Sequence, residues 1–402
     1  MGAPAARAVE LGRHWVRAGH DVTVLTGFPN HPTGVVPEQW RSRLRNLVYR
    51  EQVEGMHVLR TWLLPLPNRK AYERMLKYGS FFISAAWRGM EISRPDVVIA
   101  TSPQLLVGLA GCWIAFWKRT PFIFEVRDLW PESLSAVGVG TENSLLHRTL
   151  GKIAGFLYQA ADRIVVVTPA FKDHLIKHWR IPGDQISIVE NGVESSLFSP
   201  DAAEAALRER LGLQRKFVAA YIGTMGMAHG LDTLIEAASS LNQSDPDVSF
   251  LLVGEGTDKE RIQAVVRERG LLNIQFVDQQ PRDKIPAFIR ASDVCLVLLK
   301  KTELFKTVIP TKMLEFMSCA KPVILGVDGQ ARHVVEQARG GLVIEPENSG
   351  ALVDAISRLK QDDAGCRSFG QNGRAYIVER YSREQSAKRY IGVLEEVLGA
   401  RH

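Results

Sequence analysis

Cysteine is scarce in this chain: four of its 402 residues are cysteines, at positions 112, 295, 319 and 366. They are widely spaced, with no Cys-x-x-Cys pair and no spacing typical of zinc ligands. A disulfide-stapled secreted fold and a cysteine-based metal centre are therefore excluded. We expect the four thiols to be buried and reduced, as in a cytosolic protein.

Long apolar runs are absent as well. The most apolar stretch, residues 105–117, is followed directly by Lys118 and Arg119. It is shorter than the about 20 residues that a membrane-spanning helix needs. No segment has the pattern of a signal peptide, and these absences together predict a cytoplasmic protein.

Charge of neither sign dominates the chain, since 50 Lys and Arg stand against 44 Asp and Glu. The net charge of +6 arises in the first 90 residues, which hold 13 basic and 6 acidic side chains. Basic residues between positions 40 and 90 alternate with tryptophan, tyrosine and phenylalanine, a combination that suits an anionic membrane surface. A plain solvated surface is the alternative. Nucleic acid is not an expected partner, because no RNA-binding, zinc-finger or basic-helix motif accompanies the charge.

The length and the order of apolar runs predict two α/β domains. A chain of 402 residues exceeds one ordinary hydrophobic core, and short apolar runs alternate with helical stretches, which favours parallel sheets. A polar stretch after Asn191-Gly192-Val193 marks the join, so the domains are predicted at 1–199 and 200–382. The predicted strands are residues 21–26, 97–100, 122–125, 164–168 and 186–189 in the first domain, and 218–222, 249–253, 274–277, 294–298 and 323–325 in the second.

A dinucleotide-dependent dehydrogenase is not expected from this pattern. That class needs G-x-G-x-x-G directly after its first strand, with an acidic residue about twenty positions further on. The nearest candidate, Gly254-Glu255-Gly256, lacks the third glycine in register.

Residues 310–325 form the most informative segment, Pro-Thr-Lys-Met-Leu-Glu-Phe-Met-Ser-Cys-Ala-Lys-Pro-Val-Ile-Leu. Proline suits the first turn of a helix, and the free amides of that turn together with Lys312 favour a phosphate. Glu315, one turn further on, is placed to accept hydrogen bonds from the two hydroxyls of a ribose. The segment therefore predicts a nucleotide site, with an ordinary amphipathic helix as the alternative.

Five segments, taken in order, resemble the retaining family 4 glycosyltransferases, which have the GT-B fold. They are residues 2–26, 28–34, 125–133, 223–230 and 310–325. The first four resemble a subgroup that builds bacterial surface polysaccharides and is often described as fucosamine transferase-like. The resemblance implies an α/β chain with two doubly wound Rossmann-like domains facing across a cleft. It also implies a C-terminal helix, residues 383–402, that crosses back to the first domain.

The donor site implied by the resemblance lies in the second domain. The Gly223–Gly230 loop would let its backbone approach a diphosphate, while the dipole of the following helix contributes only about 0.3–1 kcal/mol. Real cations are therefore expected, with Lys312, Lys306 and Arg282 as candidates. No cofactor and no metal are expected, because the nucleotide sugar is the substrate and no Asp-x-Asp motif is present. The predicted donor-binding residues are Gly223, Thr224, Gly226, His229, Gly254, Gly256, Val277, Arg282, Lys306, Thr311, Lys312 and Glu315.

The predicted catalytic and acceptor residues are Asp128, Arg127 and His31, in the first domain. Asp128 and Arg127 end a strand, where α/β proteins place their ligands. Asp128 would orient an acceptor hydroxyl or, alternatively, cap the helix that follows. His31 would contact the acceptor or a leaving-group oxygen. If His229 serves the diphosphate, donor affinity is expected to weaken as pH rises past about 6.5.

The chain departs from the family pattern in three places. Thr224 and His229 stand where typical members have Arg and Lys, and Thr307 replaces the first of two glutamates, for which Glu303 is the candidate substitute. The family's first strand precedes the segment that begins at Gly2, so we expect either a natural start further upstream or a poorly active form.

These observations predict a glycosyltransferase that moves a sugar from a nucleotide donor, expected to be a UDP-sugar, with retention of configuration. The implied acceptor is a polyprenyl-diphosphate-linked saccharide at the inner face of the cytoplasmic membrane, contacted through residues 40–90. A non-catalytic nucleotide-sugar-binding protein and a GT-B nucleotide-sugar epimerase are the alternatives.

Overall fold

The computed structural model describes residues 3–30, 34–66, 71–133, 144–201 and 204–400, in two compact units. One unit combines the chain up to Glu190 with the residues from Ser386 onward, and the other is Asn191–Gln385. The units therefore change over at 190/191 and at 385/386, whereas the sequence predicts boundaries after residues 199 and 382. All four cysteines are free; Cys112 is half-buried and the other three are buried.

The N-terminal unit alternates helices and strands. Its elements are α1 (Ala3–Arg17), β1 (Thr23–Gly27), α2 (Glu38–Leu44), β2 (Val48–Val53), β3 (Met56–Thr61), α3 (Ala71–Gly89), β4 (Val98–Thr101), α4 (Leu105–Lys118), β5 (Phe122–Val126), α5 (Leu145–Ala160), β6 (Arg163–Val166), α6 (Pro169–Trp179) and β7 (Ile186–Ile188).

The described residues of this unit form two sheets. Strands β4-β5-β6-β7 are parallel throughout, and β5 is buried along its whole length, as expected of a central strand covered on both faces. The order of the other sheet is β1-β3-β2, with β1 parallel and β2 antiparallel to β3. No ladder joins β1 to β4 within the described residues. The expectation of an absent first strand stays a prediction.

The end of the chain completes the core of the N-terminal unit. Helix α15 (Arg383–Gly399) packs Tyr390 edge-on against Trp15 of α1, with ring centroids 5.1 Å apart. Ser386 Oγ donates to the carbonyl of Glu190, and Arg389 pairs with the carboxylate of Glu190 at 2.7 Å. The helix therefore contributes apolar side chains to the layer beneath β5 and β6.

The second unit contains the remaining elements. They are α7 (Ala205–Arg210), β8 (Phe217–Ile222), α8 (Asp232–Ser244), β9 (Val248–Val253), α9 (Lys259–Glu268), β10 (Ile274–Val277), α10 (Ile285–Arg290), β11 (Val294–Leu298), α11 (Thr311–Ser318), β12 (Val323–Gly326), α12 (Gln330–Ala338), β13 (Gly341–Val343), α13 (Ser349–Gln361) and α14 (Asp363–Arg380).

These strands form one parallel sheet in the order β10-β9-β8-β11-β12-β13. Residues of β8, β9 and β11 are almost completely buried, and separate apolar clusters cover the two faces of the sheet. The chain adds β9 and β10 on one side of β8 and then returns to add β11 on the other. The strand order thus reverses between β8 and β11, which is the switch point where open α/β sheets bind their ligands.

Candidate functional site

The loop after β8 lies at this switch point and is packed against the loop after β9. The amide of Gly223 donates to the carbonyl of Val253 at 2.9 Å, and that of Met225 donates to the carbonyl of Glu255 at 2.9 Å. A Cβ at Gly254 would lie 2.0 Å from the carbonyl oxygen of Gly223. A Cβ at Gly256 would lie 2.0 Å from that of Met225. These two predicted donor-site glycines therefore allow one loop to lie directly on the other.

The remainder of the β8 loop turns tightly towards α8. Thr224 is exposed, and its carbonyl accepts a hydrogen bond from the hydroxyl of Tyr221 at 2.6 Å. A 3-10 turn, Met227–His229, follows Gly226, and Gly230 then adopts a left-handed conformation with φ of 55°. The loop after β11 supports this turn, because the amide of Lys300 donates to the carbonyl of Ala228 at 2.9 Å.

Lys312 brings its ammonium group to the start of this loop. Its Nζ lies 4.0 Å from the ring centroid of Tyr221 and next to Gly223. The nitrogen is buried and has no hydrogen-bond partner. Burial lowers the pKa of Lys312 to about 7. A buried amine without a partner is costly to the fold and is stabilised by an anion.

His229 lies beside the same group but does not supply a cation. Its ring is 6.0 Å from that of Tyr221, and its Nδ1 is buried without a hydrogen-bond partner. Burial, together with the charge of Lys312, lowers the pKa of His229 to about 3. The prediction that His229 loses a proton near pH 6.5, and thereby weakens donor binding, is therefore wrong. Its imidazole is already neutral at that pH.

Glu315 lies on α11, one turn after Lys312, and is paired with Arg282. The Arg282 Nη1 to Glu315 Oε1 distance is 2.7 Å, and the side chains are 17% and 11% exposed. The Arg282 guanidinium also stacks on Phe198, 5.0 Å from the ring centroid. Helix α11 begins at Thr311, with Pro310 in the N-cap position and no side chain capping the first turn. Arg282, predicted as a diphosphate cation, thus contacts the predicted ribose carboxylate.

The predicted donor residues Lys306 and Val277, and Thr307 at the position of the missing glutamate, make local contacts in the structure. Lys306 pairs with Glu303 at 2.6 Å, and the Glu303 side chain is 88% exposed, so neither side chain turns inward. The Thr307 hydroxyl donates to the carbonyl of Leu304 at 2.6 Å. Val277 is the last residue of β10, and its carbonyl accepts a hydrogen bond from the amide of Gly254 at 3.0 Å.

The predicted acceptor residues of the N-terminal unit follow β5. Arg7 binds the buried carboxylate of Glu125 through Nε at 3.0 Å and Nη2 at 2.9 Å. Burial alone would raise the pKa of Glu125, but the guanidinium groups of Arg7 and Arg127 hold it below its usual value. Arg127 donates from Nη2 to the carbonyl of Ser102 at 3.2 Å. Its side chain is therefore tied into the interior of this unit.

Asp128, the predicted acceptor carboxylate, is half-buried directly after Arg127. Burial raises its pKa, against the effect of hydrogen bonds from Trp130 and from the amide of Leu129. The third predicted residue, His31, lies outside the described residues.

Sequence reasoning missed two side chains next to the predicted ones. The ring of Tyr221 faces Lys312. Tyr221 is the one aromatic residue in the interior of β8, and this feature of the sequence could have indicated its role. Glu132 accepts from Trp179 Nε1 at 3.3 Å and lies 3.2 Å from His174 Nε2, while its Oε2 is buried without a partner. A glutamate following a Trp-Pro pair carries no pattern that would indicate this network.

The basic and aromatic region expected at the membrane divides into two parts. Trp40 is covered by the guanidinium groups of Arg43 and Arg60, each 4.9 Å from its ring, so these residues stack on one another. The exposed part begins on α3 and continues beyond the predicted range, residues 40–90, onto α4. The ends of these two helices are joined by Lys118, which donates to the carbonyl of Met90 at 2.7 Å. We call it the aromatic surface; its members are Ile83, Trp87, Trp113, Phe116 and Trp117, between 47% and 73% exposed. Within the described ranges, no helix is both long and apolar enough to cross a bilayer.

Comparison with known proteins follows the division into two units. Residues 5–197 match the model of Glycosyltransferase Family 4, and residues 204–376 match that of Glycosyl transferases group 1. WcaI of Escherichia coli (strain K12), named as a colanic acid biosynthesis glycosyl transferase, is 25% identical over 361 residues, or 85% of each chain.

Solved structures show the same architecture. Sucrose-phosphate synthase from Thermosynechococcus elongatus superposes with a TM-score of 0.77 at 21% identity, covering 99% of this chain and 94% of that one. HepE of Anabaena, solved in complex with UDP and glucose, superposes with a TM-score of 0.71 at 18% identity, covering 94% and 100%. The predicted α/β class and GT-B fold are confirmed. The two family-model matches, together with relatives such as WcaI, support a GT-B glycosyltransferase of the group 1 and family 4 type.

Proposed function

We propose that this glycosyltransferase transfers a sugar from a UDP-linked donor, with retention of configuration, and that its C-terminal unit holds the donor. The observation that carries the proposal is the buried Lys312 ammonium, which lies beside Gly223 without a hydrogen-bond partner. A diphosphate at the end of β8 would supply the missing anion, helped by the uncapped first turn of α11.

The reaction requires positioning and charge stabilisation more than covalent chemistry. As the bond from the sugar to the diphosphate breaks, negative charge grows on the leaving phosphate, and Lys312 stabilises that charge in a site with little water. Glu315 accepts hydrogen bonds from the ribose hydroxyls and fixes the nucleotide relative to the loop. His229, neutral at physiological pH because burial lowers its pKa, contacts the donor as a hydrogen-bonding group.

The N-terminal unit binds the acceptor in this proposal. Asp128 orients the acceptor hydroxyl, and burial raises the pKa of its carboxyl group above the usual value, which favours a part in proton transfer. Arg7 and Arg127 act at a distance from the substrate, because both guanidinium groups are used to hold the strand end that carries Asp128.

The proposed acceptor is a polyprenyl-diphosphate-linked saccharide at the inner face of the cytoplasmic membrane. Three considerations support it: the resemblance to the fucosamine transferase-like subgroup, the name of WcaI, and the aromatic surface with its neighbouring basic residues. UDP is favoured as the nucleotide by that subgroup and by the ligand of HepE.

Calorimetric titration of UDP tests the donor site. The unaltered protein is expected to bind UDP in the micromolar range, whereas Lys312→Met and Glu315→Gln are each expected to weaken binding at least about tenfold, the usual effect of losing a charged hydrogen bond. Lys301→Met removes an exposed lysine of the same unit, paired with Glu345, and serves as the control. Binding that is equal in all four proteins, or absent from the unaltered one, would refute the proposed site.

A further inference from the structure

Helix α11 carries opposite charges where they are expected to meet. Lys312 and Glu315 are three residues apart, a spacing at which side chains on one helix are neighbours and form ion pairs. Within the described residues Lys312 makes no such pair: its Nζ has no hydrogen-bond partner and lies over the ring of Tyr221. Something therefore keeps the carboxylate away from the amine.

Arg282 forms an ion pair with the Glu315 carboxylate instead. It approaches from the 3-10 turn Arg282–Lys284 that precedes α10, and its Nη1 lies 2.7 Å from Glu315 Oε1. Phe198 packs on the guanidinium plane, which holds the arginine in this orientation. Both partners are largely buried, so the pair is screened little by solvent.

We infer that Arg282 is a positioning residue of the donor site, which holds Glu315 for the ribose and thereby leaves Lys312 unpaired for the phosphate. The inference rests on the proposed function and deepens it. In this arrangement Arg282 need not touch the nucleotide, because its effect is exerted through the carboxylate. Without it, Lys312 and Glu315 would pair with each other, and the groups that recognise phosphate and ribose would both be occupied.

The inference is tested with three probes that separate the two functions: UDP, 2′,3′-dideoxy-UDP and inorganic pyrophosphate. The unaltered protein is expected to prefer UDP over the dideoxy form by about tenfold or more, because a charged acceptor loses its hydroxyl donors. In Arg282→Met that preference is expected to fall towards one. Pyrophosphate binding should weaken as well, again by about tenfold, although Glu315 has no contact with phosphate.

A second-site variant distinguishes this mechanism from direct phosphate binding by Arg282. In Arg282→Met combined with Glu315→Gln, no carboxylate remains to capture Lys312, so pyrophosphate affinity is expected to recover most of its loss. If Arg282 bound the diphosphate itself, the preference for UDP would survive in Arg282→Met, and the double variant would bind pyrophosphate no better than the single one. Either of those results would overturn the inference.

Two controls keep the outcome interpretable. Arg332→Met removes an exposed arginine of the same unit that pairs with Glu336, and it should leave all three affinities unchanged. Arg282→Lys keeps a cation near Glu315 and should lose less than Arg282→Met; if it loses as much pyrophosphate affinity, the inference fails. Absence of UDP binding in the unaltered protein would instead refute the proposed function, whereas intact UDP binding with an unaffected Arg282→Met would refute this inference alone.

Discussion

At the scale of single residues, the donor site is determined by which charged side chains pair with one another where they are buried. The sequence predicts Lys312 and Glu315 correctly as neighbours on one helix, because helical spacing is local information. It does not predict that Arg282, more than thirty residues earlier, takes the carboxylate. Nor does it predict that Lys306 forms an ion pair with Glu303, three residues earlier. Such pairings depend on where loops from separate strands meet.

The pKa of Lys312 makes donor binding dependent on pH. Burial lowers that pKa to about 7, so the amine is charged below this pH and neutral above it. UDP affinity is therefore expected to fall as pH rises above 7, by up to about tenfold per pH unit until the pKa of the complex is reached. Titration calorimetry between pH 6.5 and 9 measures this directly.

Lys312→Arg provides the matched variant for this pH series. An arginine stays protonated throughout the range, so any UDP affinity that it retains should change little between pH 6.5 and 9. An affinity of the unaltered protein that stays constant across the same range would contradict the role given to Lys312.

At the scale of elements, the predicted strands correspond well to the observed ones. All ten overlap a strand of the structure, and residues 274–277 and 294–298 match in full. The missed elements are the hairpin β2–β3 and the edge strand β13. Strand β2 alternates half-buried and exposed side chains, so its apolar signal is weak among basic residues, and β13 has three residues. Fully buried strands can be recognised in the sequence because they are apolar along their whole length.

The pair α3 and α4 presents the aromatic surface, which we propose to contact the bilayer. Trp87 is 73% and Trp113 is 47% exposed, and basic residues near the helix ends complement anionic lipid. Replacing both tryptophans by serine is expected to lower binding to phosphatidylglycerol vesicles by about tenfold or more, since two large apolar groups no longer insert. Vesicle sedimentation at low and high salt measures the loss.

The control for this test is Leu272→Ser, which removes a side chain that is 92% exposed in the other unit. Its vesicle binding should equal that of the unaltered protein. If the double tryptophan variant also binds as the unaltered protein does, the aromatic surface does not contact the membrane.

At the scale of the whole molecule, two α/β units are predictable from length and from alternating runs, but the strand order is not. The switch point between β8 and β11 arises because β11 pairs with β8 after β9 and β10 have been added on its other side. No local sequence pattern shows that strands so far apart in the chain pair with each other. The tight approach of the two glycine-containing loops at this point is likewise visible only when both strands are in place.

Helix α15 belongs to the N-terminal unit, so a substitution in α15 is expected to destabilise that unit. Tyr390 is fully buried against Trp15, so Tyr390→Ala is expected to lower the free energy of unfolding of that unit by about 3 to 5 kcal/mol. Its hydroxyl is buried without a partner, so Tyr390→Phe removes an unsatisfied group and should be neutral or stabilising. Hydrogen exchange read on peptides from β5 and from β8 separates the units. Faster exchange in β5 alone is expected for Tyr390→Ala, and equal acceleration in β8 would show that α15 stabilises both units as one.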